Sequence, residues 1–153
     1  MRITPLDPAF VAAIRAGGPD ANGQPPERAT SPGAGTPCRN CLHDISEGDE
    51  MLILAARPFP APQPYAETGP VFLHAEACTA WNAPGLPPVM AVSPDYLIKA
   101  YSADHRILYG TGAVVPSGAL GAEIEERLER EDVAFVDIRS ARNNCFLARA
   151  VAG

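Results

Sequence analysis

Proline and glycine constrain this chain most, because they are both numerous and clustered: 17 prolines and 13 glycines occur among 153 residues. Proline fixes φ and lacks an N–H to donate, and ordering glycine costs conformational entropy, so neither suits the interior of a helix or a ladder. Ten of the twenty-one residues 17–37 are Gly or Pro, which predicts a long loop without helix or strand character. Pro58, Pro60, Pro62 and Pro64 fall at every second position and predict a stiff, extended connector. Residues 82–94 form another Pro-rich connection. Regular structure must therefore be short and lie between these segments.

Asp7 followed by Pro8 reads as an N-cap and first helical residue, since proline's missing N–H costs nothing there. Leu6 and Val11 form a hydrophobic staple, and Gly17-Gly18 stop the helix. Short apolar runs predict strands at 50–57, 71–74, 96–102, 106–115, 133–139 and 145–151. A turn is expected at Ala103–His105 and another at Ser140–Asn144. Ser117 is the expected cap of a helix over 118–130, with Leu120, Ile124 and Leu128 on its buried face. Glu123–Arg127 and Glu126–Arg130 are spaced as i,i+4 ion pairs on its wet face. Strand runs dominate without strict β-α alternation. The expected fold is a single α+β domain over 1–153, with the strands joined in one predominantly antiparallel or mixed sheet carrying two helices.

The net charge of −6, with no basic run, does not favour nucleic acid as a partner, because phosphates must be neutralised. No stretch reaches the ~20 apolar residues of a membrane helix. The N-terminal MRITPLDPAF lacks the apolar core of a secretory signal, so the expected location is cytoplasmic. There, four cysteines stay reduced unless they bind metal or do redox chemistry.

The sharpest local signal is Cys38-Arg39-Asn40-Cys41, followed downstream by His74-Ala75-Glu76-Ala77-Cys78. Two thiolates spaced C-x2-C grip one zinc from a single turn, and a His and a Cys from a second segment complete the tetrahedron. Cys38, Cys41, His74 and Cys78 are thus the candidate ligands of a structural zinc. The competing reading makes these cysteines small buried hydrophobes and His74 a hydrogen-bonded core residue. A redox pair fits less well, because no helix start follows Cys41. Arg139, Arg142, Asn143, Asn144, Cys145 and Arg149 gather around the last turn, where guanidinium groups could clasp a carboxylate or phosphate. If Arg149 points inward, a carboxylate such as Glu67 is expected beside it, and strand parity places it on the face of Cys145 and Leu147.

No hydrolase elbow, nucleotide loop or metalloprotease pair is present. Function is therefore unassigned by motif. The leading expectation is a non-catalytic binding or interaction domain stabilised by zinc. The alternative is an enzyme of unknown class using Cys38 or Cys145 as nucleophile with a nearby His.

Pro37-Cys38-Arg39 with Leu42, Asp44 and Gly48, then Pro64-Tyr65-Ala66-Glu67-Thr68-Gly69-Pro70, Asn144-Cys145-Phe146 and Ala148-Arg149 form a combination that resembles the bacterial domain-of-unknown-function family 1203. The likeness runs from about residue 37 to the end. It implies no activity, but it singles out Cys38, Arg39, Tyr65, Glu67, Gly69, Pro70, Cys145 and Arg149. Together with Arg142 of the last turn, Arg39, Tyr65, Glu67, Cys145 and Arg149 make the candidate set for an anion or other ligand.

Overall fold

The computed structural model describes residues 1–153. Its elements are β1 (Arg2–Thr4), α1 (Pro8–Arg15), β2 (Glu27–Thr30), β3 (Glu50–Ala56), β4 (Gly69–His74), β5 (Asp95–Tyr101), β6 (Ala113–Pro116), α2 (Leu120–Leu128), β7 (Phe135–Ser140) and β8 (Phe146–Val151). All ladders between them are antiparallel. The chain is an α+β domain, but the strands do not join one sheet as expected. They form a five-stranded sheet ordered β1-β8-β7-β5-β6 and a three-stranded sheet ordered β2-β3-β4. The reason lies at the free edge of β4, which is taken by the segment entering the first cysteine. Cys38 bridges Phe72 in parallel, and the Arg39 N–H donates to the Phe72 carbonyl at 3.0 Å. With that edge occupied, the Pro-rich connection after β4 carries the chain to a separate sheet.

Each sheet has its own core. Ile98, Ala100, Val136, Ile138, Ala148 and Ala150 on one face of the large sheet pack against Leu120 and Ile124 of α2, and Leu128 packs at the margin of the same cluster. The small sheet buries Leu52, Leu54, Val71 and Leu73 with Val11 and Ile14 of α1. α1 begins as its sequence dictates: Asp7 Oδ1 accepts from the Ala9 N–H, and Leu6 and Val11 are both buried. It ends at Gly17, whose φ of +91° is the left-handed conformation that glycine tolerates.

Other local expectations fail for identifiable reasons. β1 and β2 form where the sequence predicts no strand, because both are short edge strands whose partners lie elsewhere in the chain. Of the run 106–115 only Ala113–Val115 is strand, β6 extending one residue beyond it; Tyr101 bridges Ile107, and the Thr111 hydroxyl, rather than a backbone group, accepts from the Ala100 N–H. Ser117 makes no side-chain cap. It opens a 3-10 turn, Ser117–Ala119, that leads into α2. The Glu123–Arg127 pair forms, whereas Arg130 pairs with Asp132 instead of Glu126.

The second face of the large sheet is unusual for a buried surface. Lys99, Asp137 and Arg149 stand in cross-strand register on β5, β7 and β8. The Pro-rich segment lies over them. Phe59 packs on Tyr101 and Phe135, and the Pro58 carbonyl accepts from Arg149 Nη2 at 2.8 Å. A bulge between Ile138 and Arg139 pairs Ile138 with Ala148 but Arg139 with Phe146. That extra residue breaks the strand parity, so Leu147 joins the α2-side core while Arg149 turns to the opposite face.

Candidate metal centre

Cys38 and Cys41 occupy a tight turn. Pro37 bridges Asp44, the Cys38 N–H donates to the His43 carbonyl at 2.9 Å, and the Leu42 N–H donates to the Cys38 carbonyl at 3.0 Å. Leu42 closes the turn in the left-handed region, φ +56°, with its side chain fully buried. The second segment leaves the end of β4 at His74. Asn40 anchors it, donating from Nδ2 to the Cys78 carbonyl at 2.8 Å and accepting from the Trp81 N–H at 2.8 Å through its own carbonyl.

The four predicted ligands are brought together. Their donor atoms all lie within 4.8 Å of one another. Cys38 Sγ is 3.8 Å from Cys78 Sγ, and Cys41 Sγ is 3.6 Å from His74 Nδ1. A zinc tetrahedron with Zn–S of ~2.3 Å and Zn–N of ~2.0–2.1 Å has S–S edges of about 3.8 Å and S–N edges of about 3.5 Å. Both of these edges match, and the other ligand pairs lie within 4.8 Å. Cys38 is buried, and Cys41, His74 and Cys78 are partly so.

The surroundings favour a negative sulfur at Cys38. Its thiol is lowered by the neighbouring Cys41, against the opposing effect of burial, and by the Cys41, His74 and Asn40 N–H groups, of which the His74 N–H donates to its sulfur at 3.5 Å. Cys41 is pushed up in turn by its Cys38 neighbour, then by burial and the Cys38 charge. Sequence reasoning missed two residues. Arg15, in the last turn of α1, donates from Nη2 to Cys78 Sγ at 3.1 Å and to the His74 carbonyl at 3.2 Å. Asn40 Nδ2 also reaches Cys78 Sγ, at 3.2 Å. Three thiolates around a divalent ion leave one net negative charge, which the Arg15 guanidinium offsets. Asn40, inside the C-x2-C, could have been flagged as a clamp; nothing local marks Arg15.

The candidate ligand set is only partly assembled. Arg149 grips the fully buried Asp137, Nε to Oδ1 at 2.7 Å and Nη2 to Oδ2 at 3.2 Å, and stacks 3.7 Å over the Phe135 ring. The carboxylate opposite Arg149 is thus Asp137 rather than Glu67. Glu67 takes Lys99 at 3.0 Å and Arg139 at 3.0 Å. Burial raises Glu67, but the Lys99 hydrogen bond and the Arg139 charge outweigh it and hold the carboxyl below its usual range. Arg39 is buried under the Phe146 carbonyl, to which its Nε donates at 2.7 Å. Burial lowers its guanidinium to about 10, so it remains charged. Tyr65 sits apart against Arg106, 5.2 Å from ring to guanidinium, and Arg142 forms an exposed pair with Asp95. The sulfur of Cys145 contacts the Asn143 carbonyl at 3.7 Å, whereas the Cys–His contact, Cys41 with His74, lies among the four candidate ligands.

No helix is long and apolar enough to cross a membrane. No curated protein and no solved structure matches the chain. A family does. Residues 35–151 match the one described as "Protein of unknown function (DUF1203)", a span that contains all four candidate ligands and the whole arginine cluster, and the chain belongs to that family.

Proposed function

We propose that Cys38, Cys41, His74 and Cys78 hold one zinc ion as a closed structural site, and that the domain so stabilised binds a ligand or partner without catalysing a reaction. The observation that carries this reading is the pair of ligand edges, 3.8 Å between Cys38 and Cys78 and 3.6 Å between Cys41 and His74. Three thiolates and one imidazole in tetrahedral array select zinc over harder cations. Four protein ligands leave no open position for a substrate, which is how structural sites differ from catalytic ones. The Arg15 and Asn40 donors to Cys78 supply the outer hydrogen bonds that keep a thiolate oriented.

Elemental analysis of protein purified without a His-tag should find one zinc per chain. Chelation should lower the melting temperature by about 10 °C or more, and Cys41→Ser should reproduce that loss. Protein that contains no stoichiometric metal, cannot be loaded with zinc and melts identically with chelator overturns the proposal; the cysteines are then core residues.

A further inference from the structure

We propose that the cavity walled by Arg139, Glu67, Thr68, Asn143, Asn144 and Cys145 is a binding site for the carboxylate group of a small molecule, received by Arg139. The cavity holds about 320 Å³ and lies between the start of β4 and the β7–β8 turn. Its inner wall carries the anomaly. Arg139 is only 3% exposed, yet its Nε and Nη2 have no hydrogen-bond acceptor. Nη1 donates to the Asn144 carbonyl at 3.0 Å. Nη2 lies 3.0 Å from Glu67 Oε2 and 3.8 Å from Asp137 Oδ2, close enough to feel both charges but directed at neither oxygen. Buried guanidinium donors left open in this way call for a partner.

The two open donors are neighbours on one side of the guanidinium. Nε–H and the adjacent Nη2–H are parallel, the fork that takes both oxygens of a carboxylate. One strand away, Arg149 shows the same fork filled: its Nε and Nη2 hold the two oxygens of Asp137. Charge gives the second argument. The cluster comprises Lys99, Arg139 and Arg149 against Glu67 and Asp137, one positive charge in excess, with Arg139 and Asp137 its buried members. A singly charged ligand balances it. Glu67 need not leave, because Lys99 holds both of its oxygens, at 3.2 and 3.0 Å. At about 320 Å³ the cavity lies at the small end of the range for ligand pockets and admits a short-chain carboxylate, and the exposed Asn143–Asn144 turn forms its outer wall.

The test titrates the protein as purified with butyrate, butyramide and inorganic phosphate while the Arg139 Nε–H resonance is followed by NMR. Butyrate should shift that resonance saturably, and the uncharged isostere butyramide should not. Arg139→Lys keeps the charge but loses the fork, and should weaken butyrate binding about tenfold or more. Should that variant fail to fold, alkylation of Cys145 in the wild-type protein, read by peptide mass spectrometry, supplies the second measurement; butyrate should slow it at least threefold and butyramide should leave it unchanged. The proposal is overturned if butyramide acts as butyrate does, if phosphate alone binds, if Arg139→Lys binds undiminished, or if neither the Arg139 resonance nor Cys145 labelling responds at about 50 mM, far above the ~1 mM Kd expected of a modest forked contact. Zinc content has no bearing on these outcomes, so failure here is separable from failure of the metal reading.

Discussion

Asp137 is fully buried and Arg142 largely exposed, although each belongs to an Arg–carboxylate pair. Burial decides how differently the two pairs weigh. Removing the Asp137 carboxylate would strand Arg149 beneath Phe59 and Phe135, leaving an uncompensated charge in an apolar setting. Asp137→Ala should therefore cost about 3–5 kcal/mol in urea unfolding, while Arg142→Ala should cost less than about 1 kcal/mol. Equal costs would mean that the Asp137 site is hydrated. Burial raises Asp137 against the pull of Arg149, so its charged form is held at a cost that is relieved as pH falls. Glu67 behaves in the opposite sense. Its folded-state carboxyl is depressed, so its contribution is present above the unfolded value of ~4.3 and is lost as pH falls through the lower folded value. Stability curves of wild type and Glu67→Gln should thus lie apart at neutral pH and converge below about pH 4. A gap that stays constant into strong acid would remove Glu67 from the account.

Among the elements, those with local chemistry were legible and those defined by distant partners were not. α1 carries its cap, its staple and its glycine stop within twelve residues, Leu6 to Gly17, and forms as expected. The β3–β4 hairpin follows from two apolar runs. β1, by contrast, exists because Arg2–Thr4 pairs with Arg149–Val151 at the far end of the chain, and β2 because polar Glu27–Thr30 covers an edge of β3. Neither has a pattern of its own. The gathering of Cys38, Cys41, His74 and Cys78 was readable because ligand spacing is itself a signal, whereas Arg15 approaches the cluster through tertiary packing alone. Asp137 did leave a trace: a lone acid between Val136 and Ile138, in the apolar first half of β7, calls for a buried cation. The Pro-rich segment connects β3 to β4, but it bends at 59–61 and turns at Pro64-Tyr65 rather than running extended, and its role as cover for the charged face depends on Phe59, which is 6% exposed against Tyr101 and Phe135. Phe59→Ala should cost about 3 kcal/mol and expose the Arg149–Asp137 pair to water. Ionic strength should then affect the variant's stability more than that of the wild type, and an unchanged salt response would argue against the segment as a cover.

At the scale of the molecule, the C-x2-C turn is where separately built parts meet. Arg39 donates through its backbone N–H to Phe72 of the small sheet and through Nε to Phe146 of the large one, while its carbonyl accepts from Leu6 ahead of α1. The Asn40 and Leu42 carbonyls accept from Trp81 and Val89 in the connection between the sheets. Cys38 is buried in the core of the small sheet and Leu42 in that of the large one. The turn follows a long Gly/Pro segment whose ordering costs entropy, and its second strut, residues 75–81, has little regular structure. A metal that ties Cys38 and Cys41 to His74 and Cys78 closes that arrangement from both sides, so its loss should act on the junction before it acts on either sheet. Hydrogen exchange distinguishes this from uniform weakening. After chelation under native conditions, the amides of Arg39, Leu42 and Trp81 should lose protection by orders of magnitude. Those of Ile98, Val136 and Ala148, in the middle of the large sheet, should change little until the domain unfolds as a whole. Equal loss at all six positions would show that the zinc site stabilises the molecule globally and that the turn is not the junction on which the two sheets depend.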